Sequence, residues 1–273
     1  MVAPNHRNLK SDLPHLRKKA YYIRDVQEAI AANAKPDFIS RLSSDDRNWA
    51  LTMIQHPGQL GSKRELLSIV NRWARIFDKA FYFGQGRKRI SKISVYASND
   101  GELSEEAAGF YNPDENALYV RLDDPKATGL RYMSTTVHEM LHAFLSYHSC
   151  TCAAHCKKRV MPRSKQRRNG IGGNAIEGHG PMFMNPMTAI FRAIGEAFGV
   201  VPDPGLIYSL MEEMWTEKWQ PRPDQFERWG FPYVSLDEAL QVGAQYGAIT
   251  DDDDGDEIVG DDEGGVRVVC NIM

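Results

Sequence analysis

The stretch TTVHEMLHAFLSYHSC, residues 135–150, constrains this chain more than any other. Met133, Val137, Met140, Leu141 and Phe144 recur at helical spacing, so the stretch reads as a helix with an apolar stripe. Ser134 to Thr136 offer hydroxyls for capping its start. On such a helix His138 and His142, at i and i+4, lie one above the other on one face. Two imidazoles so placed can hold one Zn2+ at about 2.0–2.1 Å each. Glu139 points off that axis, which suits a general base acting on a water rather than a ligand.

A catalytic zinc ordinarily has three protein ligands and one open position. His148 falls where the HExxHxxGxxH pattern puts a third histidine, but that pattern needs a turning glycine where this chain has Leu145. If the helix continues, His148 is rotated by about 280° from His138 and lies about 15 Å along the axis, out of reach. The better third ligand is His179 in EGHGPMF, between Gly178 and Gly180. Pro181 suits the first turn of a helix, and PMFMNPMTAIFRAIGEAF continues as mostly apolar helix. Packed against the first helix, this second one presents His179 to the same ion. Glu177 is a rival ligand.

HEMLHAFL followed by EGHGPMF resembles the SprT-like family, whose members include the Spartan-type proteases that cut proteins cross-linked to DNA. The match spans roughly residues 60–200. The resemblance implies an α+β, zincin-like metalloprotease domain with a small antiparallel sheet and two metal-ligand helices. It implies His138, His142 and His179 as zinc ligands, Glu139 as the catalytic acid/base, protein substrates and a nuclear location. The segment from Ser146 to Glu177 is longer than members of the family usually need, and no zinc ribbon of paired CxxC motifs follows.

The remaining elements fit an α+β order. HLRKKAYYIRDVQEAIAANA, residues 15–34, reads as a basic helix within a polar lead-in covering 1–60. GSKRELLSIVNRWARIFDKAFYF has a capping box at Ser62 and Glu65, then Leu66, Ile69, Val70, Trp73, Ile76, Phe77 and Ala80 at helical spacing. ISKISVYA reads as a strand, and AAGFYNPDENALYVRL as a hairpin turning at Pro113 to Asn116. The protease domain is expected over 61–200, with a basic, cysteine-containing insertion at 146–178. A helical extension follows at 201–248, including GLIYSLMEEMWTEKW, and an acidic, disordered tail at 249–273.

The insertion offers two further sites. His148, Cys150, Cys152 and Cys156, with His155 beside them, supply the donors of a Cys3His structural zinc site; a loop with ordinary thiols is the alternative. From Met140 to Ile176 there is no Asp or Glu, while Lys157, Lys158, Arg159, Arg163, Lys165, Arg167 and Arg168 crowd the same span. This run is either a solvated surface or a patch for nucleic-acid phosphates. It lacks aromatics, so any DNA contact is expected to be sequence-independent. A second basic run, GRKRISK, covers 86–92.

The N-terminus has no apolar signal region, and no run of about 18 apolar residues occurs, so neither secretion nor a transmembrane helix is expected. Four cysteines, three of them bunched, do not form a disulfide framework, which favours an intracellular compartment. The last residues, CNIM, fit C-a-a-X with farnesylation at Cys270; a single such chain gives weak, reversible membrane attachment.

Overall fold

The computed structural model describes residues 7–13, 15–58, 62–97, 108–150, 179–202, 205–216, 220–231 and 234–241. In chain order these form α1 (Leu9–Asp12), α2 (Ile23–Asn33), a 3-10 turn (Pro36–Arg41), α3 (Ser44–Ile54), α4 (Lys63–Ala80) and a second 3-10 turn (Arg87–Arg89). Then come β1 (Lys92–Tyr96), β2 (Gly109–Asn112), β3 (Ala117–Arg121), α5 (Gly129–His148), α6 (Pro181–Phe198), α7 (Gly205–Thr216) and α8 (Pro223–Trp229). The architecture is mostly helical α+β, with one three-stranded sheet.

Helix α5, which carries His138 and His142, is the axis of the molecule. Met133, Val137, Met140, Leu141, Phe144 and Leu145 are all buried. A helix enclosed on nearly every side is what an apolar sequence of this kind demands. α4 packs across it with the stripe expected from the sequence, and Ser62 accepts the backbone N–H of Glu65 to start that helix. The Tyr82 hydroxyl donates to the Val137 carbonyl at 3.0 Å, tying the end of α4 to the middle of α5. On the other side α6 packs against α2 and α5. Leu9, Leu16, Tyr21, Val26, Ile30 and Phe38 join the same core.

Three local expectations are corrected. The sheet is mixed rather than antiparallel: β2 and β3 form the expected hairpin, but β1 runs parallel to β3, in the order β1-β3-β2. β3 is thus the central strand, with β1 and β2 on its two sides. The start of α5 lies at Gly129, capped by Thr128 through the Arg131 N–H; Ser134 to Thr136 are mid-helix and buried, and Thr136 donates to the Tyr132 carbonyl.

The third correction concerns residues 15–22, which are not helical; α2 begins at Ile23. This stretch instead runs beside the end of α5. Lys19 N–H donates to the Tyr147 carbonyl at 2.9 Å and Tyr21 N–H to that of His148 at 3.3 Å, while Lys19 Nζ reaches the Ser146 carbonyl at 2.5 Å. A helix leaves its last four carbonyls without intrahelical donors. Here the Ser149 N–H takes that of Leu145, and the N-terminal stretch takes the other three.

The opposite end of α5 is pressed on α3. A Cβ added to Gly129 would lie 1.6 Å from the Met53 carbonyl oxygen. Gly129→Ala must therefore push the two helices apart, at a cost of about 1–3 kcal/mol or more by the usual scale of overpacking. A thermal melt no lower than that of the wild type contradicts this close approach.

Candidate metal centre

His138 and His142 stand one turn apart on α5, and His179 immediately precedes the Gly180 N-cap of α6, with Pro181 in the first turn. The Nε2 atoms of His138 and His142 are 3.2 Å apart, and those of His138 and His179 are 3.0 Å apart. All three side chains bring a ligand atom within 4.8 Å of the others. Tetrahedral ligands at about 2.0–2.1 Å from one ion lie roughly 3.3 Å from each other. Hydrogen bonding alone accounts poorly for this convergence. His138 Nε2 carries either one proton or one lone pair, yet faces two nitrogens. A single cation satisfies all three.

The surroundings keep His138 neutral, as metal binding requires. His138, His142 and His179 are 2%, 3% and 5% exposed. Burial, then the neighbouring His142 and His179, hold the His138 pKa well below its ordinary value.

Glu139 is wholly buried, and neither carboxylate oxygen has a hydrogen-bond partner. Its Oε1 lies 3.9 Å from His138 Nε2. Burial pushes its pKa up to about 8. The Tyr111 backbone N–H opposes this shift. A divalent cation in the cluster reverses the balance, because it becomes the largest local charge. The three converging nitrogens and the buried carboxylate together fit such an ion.

Two contributors escaped the sequence. A Cβ on Gly109 would come within 2.6 Å of Thr135 Cγ2, with Glu139 Cγ at 3.6 Å, so a glycine lets β2 close on α5 beside the carboxylate. The only signal was a glycine opening a strand. Phe183, inside the EGHGPMF motif, touches all three ligand rings.

α5 runs without a turn through Leu145 to its last residue, His148, and His148 is not in the cluster. Its Nδ1–H donates to the Arg17 carbonyl at 3.1 Å, and its ring packs on Phe144. Burial pushes its pKa down to about 4, with Arg89 adding to the shift and the Arg17 hydrogen bond opposing it. A folded-state value below the unfolded value of about 6.5 means that the folded chain resists protonation. His148 therefore contributes stability that is full above pH ~6.5 and is lost as pH falls towards ~4, about 3 kcal/mol in all. His148→Gln should flatten that part of the acid profile. Stability is compared from pH 7 to 4.5 with chelator present, so that metal release does not contribute. Parallel profiles refute the assignment.

Cys150 is buried, its N–H donating to the Tyr21 carbonyl at 2.7 Å. Cys152, His155, Cys156, Glu177, the cations Lys157, Lys158, Arg159, Arg163, Lys165, Arg167 and Arg168, and Cys270 lie outside the described residues. The second basic run is described: Arg89, within it, lies 5.4 Å from the Tyr147 ring, and Lys18 lies 5.6 Å from the same ring. Among the described residues no helix is long and apolar enough to cross a membrane. No family model, curated protein or solved structure matches the chain.

Proposed function

We propose that this chain is a zinc-dependent endopeptidase of SprT-like type, acting on proteins bound or cross-linked to DNA. The observation that carries the hydrolytic reading is Glu139. A buried carboxylate without a hydrogen-bond partner costs several kcal/mol, roughly what breaking a buried ion pair costs. A structural metal held by three histidines has no use for such a group. A hydrolase does.

His138, His142 and His179 would hold the zinc. When bound, it supplies Lewis-acid polarisation of the scissile carbonyl and brings the pKa of a water towards ~7. Glu139 accepts the proton of the attacking water and delivers it to the leaving amine. The low-dielectric surroundings strengthen each of these charge interactions.

The sheet supports a peptide as substrate. β2 is an edge strand. Arg121 N–H donates to the Ala108 carbonyl at 2.9 Å, which sets the phase of the hairpin. By the antiparallel alternation, Phe110 and Asn112 direct their backbone groups to β3, and Gly109 directs its own to the outer side of β2. An extended peptide added along such an edge is brought to the cluster by main-chain hydrogen bonds. The DNA-linked substrate rests on the SprT-like motifs and on the basic run from Lys157 to Arg168.

The test is hydrolysis of an unfolded protein by the full chain, with chelator, with zinc restored, and with or without single-stranded DNA. Zinc-dependent cleavage stimulated by DNA is expected. Cleavage that survives chelation refutes the metallopeptidase. Zinc-dependent cleavage indifferent to DNA leaves a general peptidase, and metal binding without cleavage leaves a non-enzymatic module.

A further inference from the structure

Phe183 is 1% exposed and lies in the first turn of α6, four residues after His179. Its ring stacks on His142 with centroids 4.1 Å apart and planes 20° from parallel. The same ring meets His138 at 4.9 Å and 56°, and His179 at 5.0 Å and 87°. One aromatic side chain is therefore in contact with all three members of the cluster. Its backbone is firmly placed. Phe183 N–H and Met184 N–H both donate to the Gly180 carbonyl at 2.9 Å, and Pro181 has a restricted φ.

We propose that Phe183 is a positioning residue of the metal centre, fixing the ring planes of the three histidines and so setting their affinity for a divalent cation. The proposal rests on the three-histidine reading. Rotation of His142 about its Cβ–Cγ bond would drive its edge into the Phe183 face, so the stack holds Nε2 on the line towards the other two nitrogens. Coordination makes an imidazole electron-poor. The negative face of an aromatic ring attracts such a group, and an aliphatic side chain of similar bulk does not. The ring also keeps water from that side of the cluster, and an apolar shell governs solvent access and local dielectric at a metal site.

A core phenylalanine with no such role predicts a different result. Phe38 is equally buried but packs on Phe81 and Phe198, away from the histidines. Phe38→Leu and Phe183→Leu are both expected to lower thermal stability without metal. Only Phe183→Leu should weaken Zn2+ binding, by the ~10–100-fold typical of outer-shell partners, measured by competition with a chromophoric chelator on the full chain. It should also alter the visible absorption of the Co2+ form, and Phe183→Tyr should recover most of the affinity. Wild-type Co2+ binding with an unchanged spectrum and affinity in Phe183→Leu overturns the proposal alone, as does an equal loss in Phe38→Leu. A wild type that binds neither ion overturns the three-histidine reading beneath it.

Discussion

Glu139→Gln is expected to abolish hydrolysis while the metal stays bound. The amide keeps the shape of the side chain but has no basic oxygen to take a proton from water. Removing a positioned general base of this kind costs about 10²–10⁴-fold in rate. The three imidazoles are untouched, so metal content should match that of the wild type. Stability gives a third, independent readout. The native carboxylate is wholly buried without a hydrogen-bond partner, and burial holds its pKa up at about 8. With a pKa of about 8 the metal-free carboxyl must take up a proton to be buried at neutral pH, and a neutral amide removes that cost. Metal-free Glu139→Gln should therefore melt no lower than metal-free wild type. This is the usual signature of a group retained for chemistry at the expense of folding. Activity within tenfold of the wild type, or a variant that loses its metal, contradicts the role assigned to Glu139.

What the sequence revealed, and what it hid, divides along a physical line. α6 was legible at both ends, from Pro181 to Phe198, because a proline start and an apolar 3.6-residue period are local signals. The β2-β3 hairpin was legible for the same reason; its turn ends at Asn116, whose φ of +52° suits asparagine. Leu145 also sufficed to direct the third-ligand expectation away from His148, since a helix without a turning residue carries its side chains onward. The misread parts are those whose partners lie far away in the chain. Residues 15–22 have helical composition, yet the unsatisfied carbonyls of Ser146, Tyr147 and His148 need donors, and Lys19 and Tyr21 supply them. Nothing local announces that demand. The direction of β1 depends on which neighbour the sheet offers it. Gly109 matters only because Thr135 and Glu139 lie against it, a closeness that exists after α5 and the sheet have packed.

His179→Ala and His148→Ala are expected to fail in opposite ways. Nε2 of His179 lies 3.0 Å from that of His138, so its removal leaves two nitrogens for the ion. Loss of a direct ligand should weaken binding by more than the ~10–100-fold seen when an outer-shell partner is removed. A ligand that binds only the folded state stabilises it by about 4 kcal/mol at a thousandfold excess over Kd. Zinc should therefore raise the melting temperature of the wild type and do little for His179→Ala. His148→Ala removes the donor to the Arg17 carbonyl and a buried ring packed on Phe144 and Tyr147. It should lose about 1–3 kcal/mol of metal-free stability, the range for a buried cavity with an unpaired carbonyl. Its ligand set is intact, so the zinc-induced rise should survive. Metal content of the purified variants and paired melts with and without zinc decide the matter. Full occupancy in His179→Ala, or a lost zinc response in His148→Ala, means that the ion is held by another set of residues than His138, His142 and His179.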